Sequence, residues 1–370
     1  MASIKEFALR KNRSTEVFSY LMRYGTSSRK KIADYLSVTG ATLTKVSKEL
    51  LQAGLIYEKG SSRSTTVGRK ELDIDIVDTC CYALGFDVAS RYLRVSLLNA
   101  RLELIAMREW NYMRLNEEVL EEGICYLQQL ISEYSRDKIL GLGLLGQGYV
   151  YQEQFMSLPI RNVCQILRQR LNIDIYCMNN IRALTVTQAF FDEKNDNFLM
   201  LHYGPGICTV MVQNGIVVSG AHDKAGEIGH TIWELNSDQS CSVCGKRGCV
   251  ESLLNFERVA KQADPLHDAI YTDYQLLMKA CKKDEGRALD HAFIQLAKIV
   301  NLLLGFYDPQ NLLLCGEIFT NPVLYQRFSH LLTEFCPDFS TDWISLVENY
   351  TEKRWKSAGI VVMNEYFGKR

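Results

Sequence analysis

Apolar positions recur every three to four residues in the first fifth of the chain and become continuous runs after residue 80. Val17, Phe18, Tyr20, Leu21 and Met22 fall at helical spacing, and Gly25 predicts the stop of that helix. Ser27 or Ser28 offers a cap for a second short helix, 29–36, with Ile32, Ala33 and Leu36 inward. A turn through Ser37 and Val38 leads to a third helix, about 41–53, that buries Leu43, Val46, Leu50 and Leu51. Gly54 ends it, since glycine tolerates left-handed dihedrals. A short strand at 55–58 and the alternating stretch 72–76 flank a polar basic segment, 59–70, that predicts a hairpin.

Beyond residue 80 the runs predict strands at 82–88, 92–98 and 102–107, a helix at 119–134 and a strand at 139–145. A shorter cycle follows: helix 163–171, strand 173–177, helix 181–191. A second strand set is expected at 197–203, 208–213 and 216–219. The last third reads as helical, around 274–282 and 289–306, with one strand at 312–314. Two β-rich halves, each finished by helices, predict an α/β chain of two similar lobes. The expected boundaries are an N-terminal module at 1–77 and a larger part at 78–370, its lobes meeting near 185–195.

At 370 residues the chain is long enough for two or three domains. Its 47% apolar and 23% charged residues are those of a soluble globular protein. No run of eighteen apolar residues predicts a membrane span, and the opening Met-Ala-Ser-Ile-Lys-Glu-Phe has no apolar signal core. A cytoplasmic location is expected. Twelve cysteines in such a chain do not make a disulfide framework. Nine of them, Cys81, Cys208 and Cys315 among these, read as small buried side chains.

Charge divides the chain. Residues 1–70 hold 14 Lys and Arg against 5 Asp and Glu, a net of +9, while the remainder holds 28 against 38, a net of −10. On charge alone a solvated basic face and a polyanion partner stand equal. The pattern decides between them, because three helices and a basic hairpin resemble the winged helix-turn-helix modules of bacterial regulators. The outward face of the third helix is expected to carry Thr39, Thr42, Thr44, Lys45, Ser47 and Lys48, whose hydroxyls and amines suit bases and phosphates. Arg63 and Arg69 in the hairpin would reach the minor groove or the DNA backbone.

The densest chemistry lies between Gly226 and Ser252, in Gly-Glu-Ile-Gly-His and then Cys-Ser-Val-Cys-Gly-Lys-Arg-Gly-Cys-Val-Glu. Cys241 and Cys244 are spaced to bend round one ion, and Gly245 and Gly248 free the backbone to tighten there. With Cys249 and His230 they make four N/S ligands, the set that a structural Zn²⁺ takes.

The same stretch resembles the signature of the ROK family of repressors, open reading frames and sugar kinases. That family usually places one residue between its first two cysteines; here Ser242 and Val243 make two, a spacing that also suits zinc. The resemblance covers nearly the whole chain. It implies a winged helix-turn-helix followed by a two-lobed, actin-like, sugar-kinase-type domain with a cleft between its lobes. It implies that sugar hydroxyls are held by Asn179, Glu227, His230 and Glu251, with Asn180 as a further hydroxyl partner.

The family's kinases also need three parts that this chain alters. Their first phosphate loop, Asp-x-Gly-x-Thr, is Asp87-Val88-Ala89-Ser90-Arg91 here. Their second, Gly-Thr-Gly, is Gly204-Pro205-Gly206, and the proline lacks an N–H. Their catalytic Asp is Asn180, and a carboxamide supplies none of the roughly 10²–10⁴-fold of general-base assistance. Gly316-Glu317 also replaces the family's Gly-Gly near the adenosine. The expected protein is a non-enzymatic, sugar-responsive transcriptional repressor, a homodimer or homotetramer on double-stranded operator DNA. The alternatives are a sugar kinase with an added DNA-binding module, or a regulator governed by a protein partner.

Overall fold

Side-chain caps start three helices of the N-terminal module. Asn12 accepts the amides of Ser14 and Thr15 to begin α1 (Arg13–Tyr24), which stops at Gly25 with φ +71°. Ser28 caps α2 (Arg29–Tyr35), and Thr39 caps α3 (Gly40–Gln52). Three short strands, β1 (Ser27–Ser28), β2 (Ile56–Lys59) and β3 (Asp73–Ile76), pair antiparallel in the order β1-β3-β2. Together these elements form a winged helix-turn-helix. The computed structural model describes residues 12–60, 72–89, 91–148, 150–155, 160–192, 195–269, 271–348 and 350–368, with Lys5, Phe7 and Leu158. Arg63 and Arg69 therefore lie outside the described residues.

The chain divides into two units. Unit 1 is Met1–Phe191 with Thr351–Arg370; unit 2 is Asp192–Tyr350. Beside the winged module, unit 1 contains β4 (Tyr82–Val88), β5 (Tyr92–Asn99), β6 (Leu104–Asn111), α4 (Glu117–Glu133) and β7 (Ile139–Gly146). The hairpin β8 (Val150–Tyr151) and β9 (Gln154–Phe155), then α5 (Val163–Leu171), β10 (Ile175–Asn179) and α6 (Asn180–Phe191), complete its continuous part. The main sheet has the order β10-β7-β4-β5-β6, with β4, β7 and β10 parallel. Continuous burial along β4 and β7 explains why both read as unbroken apolar runs. The strand expected at 173–177 starts two residues later. Asn172, at φ +52°, terminates α5, and the chain turns through Ile173 before the Asp174 carbonyl accepts the Leu142 amide of β7 and the ladder opens at Ile175.

Unit 2 holds β11 (Phe198–Tyr203), β12 (Ile207–Gln213), β13 (Ile216–Val217) and the helices α7 (Val250–Leu254), α8 (Phe256–Ala263), α9 (Tyr274–Cys281) and α10 (Arg287–Tyr307). β14 (Asn311–Cys315), α11 (Pro322–Phe335) and β15 (Ile344–Leu346) follow. Its sheet order is β13-β12-β11-β14-β15, so the last third has two strands rather than the one expected. Tyr203, Phe293, Phe319 and Phe328 pack as an aromatic core behind it. Helix α10 is long and apolar enough by composition to cross a membrane, yet Phe293, Leu296, Ala297 and Val300 are buried in that core.

The chain returns to unit 1 through α12 (Tyr350–Phe367). This helix lies directly on the sheet because glycines give it room. A Cβ at Gly143 would stand 1.9 Å from the Ala358 carbonyl oxygen, and one at Gly85 would stand 2.7 Å from the Ala358 Cβ. At its far end Phe367 packs on Phe18 of α1 with the rings tilted and their centroids 4.8 Å apart, so α12 shares a core with the winged module. Gly143→Ala should force α12 off the sheet and destabilise unit 1 by about 1–3 kcal/mol. A wild-type urea midpoint for that variant would refute this packing.

Candidate functional site

The Gly-Glu-Ile-Gly-His segment is a turn pressed against β12. Gly226 sits at φ +85°, and a Cβ there would stand 1.8 Å from the Thr209 carbonyl oxygen. At Gly229 a Cβ would stand 2.3 Å from the Ile207 carbonyl oxygen. The two glycines therefore let the turn dock backbone to backbone, with the Thr209 amide donating to the Gly226 carbonyl at 2.8 Å. The docking presents half-buried Glu227 and His230 on one short 3₁₀ turn, Ile228–His230.

Glu251 enters from the first turn of α7. The Ile207 amide donates to its Oε2 at 3.3 Å. Gly206, in the turn between β11 and β12, packs against the same carboxylate, since a Cβ there would lie 3.7 Å from Oε2. Burial pushes the Glu251 carboxyl up to about 7, the Ile207 amide opposes the rise, and the charge of Glu227 adds to it. Glu227, His230 and Glu251 thus gather in unit 2, two acceptors and an imidazole around a small-residue floor.

A tight loop follows the turn. Cys241 donates its amide to the Lys246 carbonyl, Gly245 closes back on the Cys241 carbonyl, and Ser240 bridges to Arg247. Gly245 and Gly248 hold φ of +72° and +66°. A Cβ at Gly248 would overlap the Glu234 carbonyl oxygen at 1.8 Å, so this position demands glycine. One ligand atom each from His230, Cys241, Cys244 and Cys249 lies within 4.8 Å of the others. Cys241 Sγ is 3.9 Å from His230 Nδ1, and Cys244 Sγ is 4.0 Å from Cys249 Sγ. Tetrahedral ligands at about 2.3 Å from a Zn²⁺ sit roughly 3.7 Å apart, so the four donors fit such an ion. Burial first, then the charge of Lys246, holds the His230 imidazole below its ordinary value and keeps it neutral, as a ligand must be. Burial pushes the Cys241 thiol up to about 12 in the absence of metal.

Asn179 and Asn180 stand in unit 1, at the junction of β10 and α6. The Asn179 carboxamide holds that junction together. Its oxygen accepts the amides of Ile181 and Arg182, and its nitrogen donates to the Gly148 carbonyl at 2.6 Å. Asn180 is half-buried at the first position of α6.

The end of β4 and the start of β5 contain a network that sequence reasoning missed. Asp87 is buried, accepts the Tyr92 hydroxyl at 2.9 Å, and faces Arg94 at 3.8 Å. Arg354 of α12 donates to the Tyr92 hydroxyl at 2.6 Å. Burial raises the Asp87 carboxyl against the pull of both arginines. The strand alternation gives no sign of this; the available signal is a pair of charged residues, Asp87 and Arg94, set among apolar neighbours.

On α3, Thr39, Thr42, Thr44, Lys45 and Lys48 are all exposed. Thr39 and Thr42 share a hydroxyl contact of 2.9 Å, and the Thr44 hydroxyl donates to the Gly40 carbonyl. Ser47 does not join that face. It is fully buried, because the inward stripe through Leu43, Val46 and Leu50 is wide enough to take a small neighbour.

A winged helix-turn-helix ahead of two sheet-and-helix units, with a Cys/His loop beside clustered carboxylates, defines the regulator branch of the sugar-kinase fold class. The ROK family model matches residues 83–360, and the chain belongs to that family. It is 22% identical over 331 residues to the DNA-binding transcriptional dual regulator NagC of Escherichia coli (strain K12), covering 82% of this chain and 80% of that one. It is 23% identical over 274 residues to the N-acetyl-D-glucosamine kinase of Vibrio parahaemolyticus serotype O3:K6, covering 68% of this chain and 89% of the kinase. A crystal structure of a ROK family transcriptional regulator, a homologue of the E. coli MLC protein, superposes with a TM-score of 0.74 at 17% identity over 98% of each chain.

Proposed function

We propose that this protein is a sugar-responsive transcriptional repressor that binds operator DNA through residues 1–77, senses a sugar through residues 78–370, and has no kinase activity. The winged helix-turn-helix carries the reading, with five hydroxyl and lysine side chains exposed along one helix. The repressor relatives support it, and the kinase relatives, which match over less of the chain, favour a shared sugar. Because one repressor relative is named an N-acetylglucosamine repressor and the kinase relative carries the same sugar in its name, an acetamido hexose is the first ligand to test. Asn180 in place of a base, and an Asp87 taken up by Tyr92 and Arg94, weigh against phosphoryl transfer.

Glu227, His230 and Glu251 hold sugar hydroxyls in this reading, with Asn180 and the remaining amide hydrogen of Asn179 as further partners. His230 gives Nδ1 to a structural zinc with Cys241, Cys244 and Cys249, and leaves Nε2 for a hydroxyl. Arg63 and Arg69 reach DNA from the wing. The protein works in the cytoplasm as a homodimer or homotetramer, since paired half-sites add affinity that one winged module lacks.

Operator binding should weaken steeply between low and physiological salt, as phosphate neutralisation requires, and Lys45→Ala should shallow that slope. Glu227→Ala should cost roughly 1.5–3 kcal/mol of sugar affinity, about ten- to a hundredfold, while DNA affinity without sugar stays at the wild-type level. Calorimetry with the acetamido hexose, followed by fluorescence anisotropy on operator DNA, reads both. Sugar-dependent ATP consumption, or a Glu227→Ala variant that responds to sugar as wild type does, would overturn the reading.

A further inference from the structure

Cys164 and Cys177 stand thirteen positions apart, and their Sγ atoms lie 2.8 Å from each other, inside van der Waals contact for two sulfurs. Cys164 is the second residue of α5 and is wholly buried; Cys177 is the third of β10 and only half-buried. The left-handed Asn172 turns the chain so that the strand runs back along the helix that precedes it. One helical turn beyond Cys164, Arg168 pairs with Glu153 and donates to the Ile175 carbonyl at 3.1 Å, which fixes its guanidinium beside the sulfurs. Glu153 Oε2 accepts from Cys164 Sγ at 3.6 Å. The pair belongs to unit 1, whereas the His230, Cys241, Cys244 and Cys249 cluster belongs to unit 2.

We propose that Cys164 and Cys177 form a reversible dithiol–disulfide site, oxidised by hydrogen peroxide or another small hydroperoxide. The thiolate of Cys164 attacks one peroxide oxygen. The O–O bond breaks, and hydroxide leaves and is protonated to water, so that Cys164 becomes a sulfenic acid. The Cys177 sulfur then gives up its proton and attacks the Cys164 sulfur. The S–S bond forms, the S–OH bond breaks, and the hydroxyl leaves with a proton as a second water. Two thiols lose two electrons and one peroxide gains them. Closing the sulfurs to about 2.05 Å requires a shift under roughly 1 Å, within the reach of side-chain rotation.

Electrostatics orders the two steps. The Cys177 thiol donates to Cys164 and holds it below its ordinary value; Arg168 acts in the same direction, while burial and the charge of Glu153 oppose both without reversing the shift. The same hydrogen bond and burial raise Cys177. Cys164 is therefore the first thiolate and Cys177 the resolving thiol. The product ties α5 to β10 two residues before Asn179, whose carboxamide caps α6.

The test uses the full-length, metal-loaded protein. Stoichiometric hydrogen peroxide, alkylation of free thiols and tryptic mapping should show peptides 162–168 and 171–182 joined, two hydrogens lighter than the free pair. Dithiothreitol should release them. Cys177→Ser should stop at the sulfenic acid and be labelled at Cys164 when the oxidised protein is unfolded in dimedone. Arg168→Gln should slow the oxidation without changing the circular dichroism spectrum, which a merely structural arginine would not do. If both wild-type cysteines stay alkylatable after peroxide, or pair with other cysteines, the proposal fails, and this measurement decides even if a variant does not fold.

Discussion

Cys249→Ser is expected to strip the metal from unit 2. Purified wild-type protein should carry about one zinc per chain, and the variant almost none. Beyond backbone hydrogen bonds and the Lys246 ammonium donated to the His230 carbonyl at 2.7 Å, metal ligation by these four residues is what would cross-link the loop 240–249. Structural zinc sites contribute on the order of 10–16 kcal/mol of apparent binding free energy at neutral pH, so the loss of one ligand removes more stability than any single side-chain packing term. Lys246 and Arg247 are exposed in that loop, and trypsin should cut there far faster in the variant. His230 belongs to the same ligand set, so sugar affinity should fall with the metal. Affinity for zinc should also drop as pH falls, since the Cys241 thiol, pushed up to about 12 without metal, must lose its proton to bind. Elemental analysis finding no zinc in wild-type protein purified without chelator would end this account.

Asp75→Ala is expected to loosen the winged module from the rest of unit 1. Asp75 of β3 is 1% exposed and pairs with Arg101, in the turn between β5 and β6, at 2.8 Å. It also accepts from the Thr26 hydroxyl and from the Ile76 amide. Removing one partner of a buried pair costs about 3–5 kcal/mol, and the lower end applies because Arg101 is about a quarter exposed. Burial alone would raise the Asp75 carboxyl, but the hydrogen bonds from Arg101 and Thr26 win and hold it below its ordinary value. A depressed carboxyl contributes stability above its unfolded value, about 3.9, and loses it as pH falls through the lower folded value. The wild type should therefore destabilise with acid more steeply than Asp75→Ala does. Urea unfolding at pH 7 and at pH 3 measures both terms, and a variant within about 0.5 kcal/mol of wild type at pH 7 would show that the pair does not hold the module.

The winged module is legible in the sequence because its signals are local. Ser28, Thr39, Gly25 and Gly54 cap or stop their own helices, and Leu43, Val46 and Leu50 repeat at helical spacing. The Cys/His loop is legible for the same reason: glycines and ligands sit within a few residues of each other. What depends on distant partners is not. The reason for Gly143 lies in Ala358, and the reason for Asp87 lies in Tyr92 and Arg94. Ile173 reads as strand from its type, while only pairing with β7 shows where the ladder of β10 begins. Ser47 reads as outward because it is polar, yet a hydroxyl that small fits at the edge of an apolar stripe. The thiol pair leaves no trace in the sequence, because two ordinary cysteines stand thirteen positions apart, one in a helix and the other in a strand.

Helix α12 has a consequence for synthesis. Phe367 and Ile360 complete the apolar cluster that holds Phe18, Leu21 and Ile76, yet they are made only after the whole of unit 2. At about 5–20 residues per second, the N-terminal module waits on the order of tens of seconds for those partners. Through that interval a nascent chain exposes the face of α1 that α12 will cover. Unit 2 is made during the wait, from a continuous stretch of chain, and can fold first. Chaperone demand should therefore concentrate on the winged module, and a chain whose synthesis stalls before Ile360 should have unit 2 structured and the winged module still unsettled.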